Sequence, residues 1–119
     1  MSVYVDGFVI PVPKKKLADY RRMARKIDKL WIKHGALEVH ENLADDVKPG
    51  KLTSFPQAVK LKPDEVVVFS WTVYKSRRHR DAVNKKVMAD PMMANMDMKS
   101  MPFDGKRMFW GGFKEIIRL

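Results

Sequence analysis

The sequence predicts an α+β fold of order β-α-β-β-α-β, with a four-stranded antiparallel sheet and two helices on one face. Three observations predict it. Four segments are apolar or alternating over the length of a strand, and two basic segments repeat apolar residues every three or four positions. The chain has 119 residues, the size of one domain, so a single unit over residues 1–119 is expected. Such a chain buries roughly 65% of its unfolded surface, enough for a core without covalent staples.

The first strand is read in "VYVDGFVIPVP" (residues 3–13), rich in β-branched and aromatic residues and closed by two prolines. In "KKKLADYRRMARKIDKLWIKHG" (14–35), Leu17, Tyr20, Ala24, Ile27, Trp31 and His34 share one helix face, and Gly35 supplies the stop. "ALEVHENL" (36–43) alternates Leu37, Val39 and Glu41 against Glu38, His40 and Asn42, a strand pattern. Residues 44–65 carry three prolines and read as a long irregular connection, the kind that wraps a partner or serves a function.

"VVVFSWTVYK" (66–75) is apolar on both faces, which places it centrally in the sheet. Ser76 is the expected cap of a second helix over residues 77–90, with Ala82, Val83 and Val87 inward and Pro91 at its end or opening a short extra helix. The last strand is read in "KRMFWGGFKEIIRL" (106–119), where Gly-Gly invites a bulge or a close backbone approach. This order is that of the ferredoxin-like unit.

Such a unit leaves one sheet face without helices. Val66, Val68, Ser70, Thr72 and Tyr74 point one way and Val67, Phe69, Trp71 and Val73 the other. Neither set is polar enough for open water, so a second layer is expected, and a two-fold homodimer is its commonest source.

The formal net charge is +10. Residues 14–34 carry +7 and residues 75–86 carry +5, leaving about −2 for the rest. The excess therefore sits on the two helices, where Arg21, Arg22, Arg25, Arg77, Arg78 and Arg80 are candidates for weak, salt-dependent contact with RNA phosphates. No cysteine is present, which excludes disulfides, thiolate metal sites and Cys nucleophiles. The longest apolar run, residues 66–69, is far short of the ~20 residues a membrane helix needs. With no apolar leader segment, a cytoplasmic protein without a membrane partner is expected.

The blocks "YVDGFVIPVPKKKLADYRRMA", "ADDVKPGKLTSFPQAVKLKPDEVVVFSWTVYKSR" and "MPFDGKRMFWGGF" resemble the YbaA-like family of short bacterial proteins of unknown function. The resemblance covers nearly the whole chain. It implies kinship with the dimeric α/β-barrel superfamily, in which two four-stranded sheets pack face to face. Relatives there include cofactor-free monooxygenases, haem-degrading enzymes and small stress-related proteins, and some members carry a label linking them to the 4.5S RNA of the signal recognition particle. The resemblance brings no catalytic residues.

Four constellations remain. Six of the nine methionines fall within residues 88–101. Met88, Met92 and Met96 share a helical spacing, so packing with some lid character is expected rather than a copper(I) site. The histidines show no metal-ligand spacing. His40 and Glu38 share a strand face near Glu41, Asp45 and Asp46, where a cation or acid–base cluster is the alternative to solvated edge residues. Asp6, in the first strand, needs a partner or a raised pKa, either in a pocket or against an arginine across a dimer. Finally, "VYVDGF" is faintly similar to an RNA-contacting strand, but the second signature of that motif is missing.

A small-molecule pocket between sheet and helices is therefore expected, with Asp6, Trp71 and Trp110 lining it, and a cofactor-independent monooxygenase-like activity is the enzymatic form the resemblance implies. RNA association through the basic helices is the alternative. No nucleotide-binding glycine loop, triad or metal motif is present, so neither cofactor nor metal is expected.

Overall fold

Strand β1 (Tyr4–Pro13) runs antiparallel to β3 (Glu65–Tyr74) through the middle of a four-stranded sheet of order β2-β3-β1-β4. The computed structural model describes residues 2–119. Strand β2 (Glu38–Leu43) edges the sheet beside β3, and β4 (Phe109–Lys114) edges it beside β1, both antiparallel. The fold is the α+β, βαββαβ arrangement, with β3 central.

Helix α1 (Leu17–Lys33) follows a single 3-10 turn (Lys14–Lys16). Gly35 ends it at φ +118°, a conformation that disfavours a side chain. Its Tyr20 and Ala24 pack on Ile10, Val12 and Val68. Helix α3 (Arg77–Ala89) is capped by Ser76, whose hydroxyl accepts from the His79 amide at 3.1 Å. Val83 and Val87 join Leu30, Ala36 and Tyr74 in a second cluster, while Ala82 is exposed instead of inward.

Both helices thus cover the face that carries Tyr4, Asp6, Phe8, Ile10 and Val12 of β1 and Val66, Val68, Ser70, Thr72 and Tyr74 of β3. The opposite face carries Val67, Phe69, Trp71 and Val73. Residues 44–64 are not wholly irregular. They include a short helix α2 (Phe55–Ala58), capped by the Ser54 hydroxyl and crossing this opposite face. Val59, 1% exposed, packs on Val9 and Val67, and the Phe55 ring lies 5.8 Å from that of Phe69.

The methionine segment is not one helix face. Asp90 breaks it, and α4 (Pro91–Ala94) starts anew from that cap. Met92 and Met93 pack on the second cluster, whereas Met88 is exposed. The Gly-Gly pair makes no bulge: Gly111 pairs with Gly7 and Gly112 with Asp6 in unbroken register. It is a close approach, because a side chain on Gly112 would overlap the Tyr4 hydroxyl and the Arg80 guanidinium.

Candidate active site

The inward stripe of α1 is not wholly apolar. Asp28 lies four residues after Ala24 and three before Trp31, so the helix period turns it toward the sheet. On β2, Glu41 pairs with Ser70 and shares its face, so the carboxylate rises toward α1. There Tyr20 donates its hydroxyl hydrogen to Glu41 Oε1 at 2.7 Å, and Asp28 shares a hydrogen bond with Glu41.

No cation pairs with Asp28 or Glu41 among the described residues. Burial pushes the Asp28 carboxyl up to about 9, and the hydrogen bond and charge of Glu41 push the same way. The Tyr20 hydroxyl is likewise raised by burial and then by Glu41. Asp28 therefore keeps its proton at neutral pH, and the Asp28–Glu41 pair carries one negative charge between them.

These groups sit at a junction. Below them, between sheet and α1, is a cavity of about 150 Å³ lined by Phe8, Ile10, Met23, Ile27, Trp31, Phe103 and Met108, with Ser70 and Thr72 as its polar floor. Above them, between α1 and β2, runs an open groove of about 810 Å³ bordered by Leu17, Arg21, Arg22, Arg25, Asn42 and Leu43. Tyr20, Ala24, Asp28 and Glu41 border both spaces. The apolar pocket and the groove thus meet at a protonated acid, a carboxylate and a phenol, a set that can give or take a proton.

The residues expected to line a pocket fall elsewhere. Asp6 and Trp110 meet at Arg80, and Trp71 lies on the opposite face of the sheet, because β3 alternates and Thr72 takes the helix side. Asp6 is 1% exposed, and its Oδ1 lies 3.5 Å from Arg80 Nε. That partner is in the same chain, not across a dimer. Burial raises the Asp6 carboxyl, and Arg80 opposes the rise.

The Arg80 guanidinium is held between the rings of Tyr4 (5.1 Å) and Trp110 (5.7 Å) and donates to the Tyr4 hydroxyl at 3.0 Å. This fastens α3 to β1 and β4. It also removes Arg80 from the outer basic surface, where Arg21, Arg22, Arg25, Arg77 and Arg78 remain exposed.

Trp71 stacks on His40 at 5.0 Å, and His40 Nε2 lies 3.0 Å from Glu38 Oε1. Glu41 is on the other side of the strand, so the alternative of an acidic cluster around His40 does not assemble, and Glu38 and His40 are exposed edge residues. Among the described residues no group of three or more His, Cys, Asp or Glu is placed to hold a metal ion. Sequence reasoning missed Asp28, although its position on the apolar stripe of α1 was a visible signal.

The chain is similar to known proteins in family and in fold. The family model described as "Protein of unknown function (DUF1428)" matches residues 3–105. "Uncharacterized protein YbaA" of Escherichia coli strain K12 is 53% identical over 114 residues, 96% of this chain and 97% of that protein. The protein of the same name from Shigella flexneri matches to the same extent. Among solved structures, a dimeric ferredoxin-like protein from an uncultured marine organism covers 100% of this chain and 98% of its own, with a TM-score of 0.57 at 12% identity. That likeness is one of fold. No helix among the described residues is long and apolar enough to cross a membrane.

Proposed function

For a chain that belongs to the DUF1428 family of proteins of unknown function, we propose a homodimeric small-molecule-binding protein whose ligand enters the chamber between sheet and α1. The observation that carries this reading is the hydrogen-bonded Tyr20–Glu41–Asp28 set at the mouth of an apolar cavity. A half-buried carboxyl such as Asp28 without a cation costs stability, and such costs concentrate where proton transfer is needed. In enzymatic form, Glu41 takes a proton from the ligand and Asp28 returns one. Deprotonating an electron-rich ligand is also how a cofactor-independent monooxygenase-like reaction would begin.

Native mass spectrometry of the purified protein tests the reading. A bound small molecule is expected in the wild type and absent in Ile27→Phe, whose larger side chain fills the pocket. A ligand retained equally by both proteins would place binding elsewhere.

The dimer forms through the sheet face away from α1 and α3. Phe69, Phe109 and Phe113 are 40%, 46% and 66% exposed there, and Ile116, Ile117 and Leu119 continue the apolar surface past β4. The fold neighbour is itself a dimeric ferredoxin-like protein. Phe113→Asp should dissociate the dimer to a folded monomer in sedimentation. A wild type that sediments as a monomer at micromolar concentration would remove the second copy from this face.

RNA association is the second reading. It draws on a groove where Arg22, Arg25, Lys26, Lys29 and Lys33 line α1 beside Met92 and Asp90. Such binding would fall steeply with salt and ignore sequence.

A further inference from the structure

Two features of the chamber constrain what enters it, given the small-molecule reading above, on which this inference rests. The first is charge. Arg21, Arg25 and Asp28 fall at i, i+4 and i+7, one ridge of α1 facing the β2 edge. Arg22 is already paired with Asp19. Arg21 and Arg25 have no ion-pair partner among the described residues, and both border the outer groove. Two guanidinium charges therefore face the single negative charge shared by Asp28 and Glu41. A monoanion brings the site to neutrality, whereas a dianion overshoots it.

The second feature is size. A pocket of about 150 Å³, with Phe8, Ile10, Ile27 and Phe103 among its walls, has room for one six-membered ring, the volume at which an apolar cavity takes up benzene. The polar set at the mouth lies between this chamber and the arginines. A molecule reaching from one to the other must have its ring inside and its charge outside.

We propose that the ligand is a small ring-bearing carboxylate, its ring seated in the chamber beneath Tyr20 and its carboxylate held in the outer groove by Arg21 and Arg25. The guanidinium fork suits a carboxylate, and a lysine there would not substitute for it geometrically. The Asp28 carboxyl and the Tyr20 hydroxyl then lie beside the link between ring and carboxylate.

Calorimetric titration with matched acid and amide pairs tests this: benzoate with benzamide, and phenylacetate with phenylacetamide. In the wild type the acid should bind about tenfold or more tightly than its amide, the worth of a charge-assisted hydrogen bond. In Arg21→Gln/Arg25→Gln the acid should fall to the amide's affinity, with the amide unchanged. Equal binding of acid and amide by the wild type would overturn the anion preference and leave the chamber reading standing. Binding of none of the four at millimolar concentration would overturn both.

Ring-proton shifts separate seating in the chamber from ion exchange on the helix surface. Benzoate should perturb the indole signals of Trp31 and the ring signals of Phe8. Perturbation confined to Arg21 and Arg25 would overturn the proposed pose.

Discussion

Glu65 and Asp28 are both carboxylic acids withdrawn from water, and the protein treats them in opposite ways. Glu65, 6% exposed at the start of β3, receives both terminal nitrogens of Arg107, at 2.7 and 2.6 Å, and the Lys62 amide at 2.8 Å. Arg107 also donates to Asp104 at 2.8 Å and to the Lys60 carbonyl at 3.1 Å. The hydrogen bonds from Arg107, with a smaller push from the Lys62 amide, hold the Glu65 carboxyl below the usual glutamate range. Asp28 has a carboxylate and a phenol for company, and its carboxyl is raised. Through Arg107, Glu65 ties the start of β3 to the turn before β4 and to the 44–64 connection, and it stays ionised. Asp28 joins nothing to the sheet by charge and stays protonated. The acid with a bidentate arginine is held ionised, and the one without a cation keeps its proton.

The largest expected effect comes from making Glu65 resemble Asp28. Arg107→Met strands a buried carboxylate, and losing one partner of such a pair costs about 3–5 kcal/mol. Urea denaturation at neutral pH checks it. Wild-type-like stability would mean that water already satisfies Glu65. The wild type should also be acid-sensitive through this group. A lowered folded pKa gives stability that is present above the ordinary glutamate value of 4.5 and is lost as pH falls through the folded value.

Asp28→Asn sharpens the contrast with the opposite sign. A raised folded pKa gives stability that is complete below the ordinary value of 3.8 and drains away as pH rises toward about 9. The asparagine variant has no such loss and can still donate to Glu41. It should match the wild type near pH 4 and exceed it by about 1–2 kcal/mol at pH 8, with each pKa unit worth about 1.4 kcal/mol before solvent screening. Parallel stability curves from pH 4 to 8 would show that Asp28 is not raised.

The smallest effect belongs to Tyr20→Phe. It removes the donor at 2.7 Å from Glu41 and should cost about 1 kcal/mol while leaving the fold intact. Urea denaturation checks it, and wild-type stability in the variant would show that the Tyr20–Glu41 hydrogen bond adds nothing to the fold.

Much of the fold was legible because its signals are local. The period of residues 66–74 marked a central strand, and Ser76 and Gly35 marked helix ends by their own backbone chemistry. The site was less legible. Asp6 drew attention as a charge in a strand, but the Arg80 that answers it stands 74 positions away, on a helix that also reads as a solvated basic surface. Trp71 looked inward because either face of β3 is apolar enough to be buried. Glu41 was visible only in the company of His40 and its sequence neighbours.

The order of elements, the central place of β3, the amphipathic face of α1 and the apolar character of both sides of the sheet are written into the residues themselves. Those follow from side-chain periodicity and backbone preference, which act over a few residues. Which face of β3 the helices take, the folding of residues 44–64 back over the other face, and which acids find a cation depend on contacts between distant segments. Glu65 and Arg107 are 42 residues apart and Tyr20 and Glu41 are 21 apart. Such pairs meet only when strand register and helix docking are both fixed, because a one-residue slip would turn Glu41 away from Tyr20 and leave Asp28 without its partner.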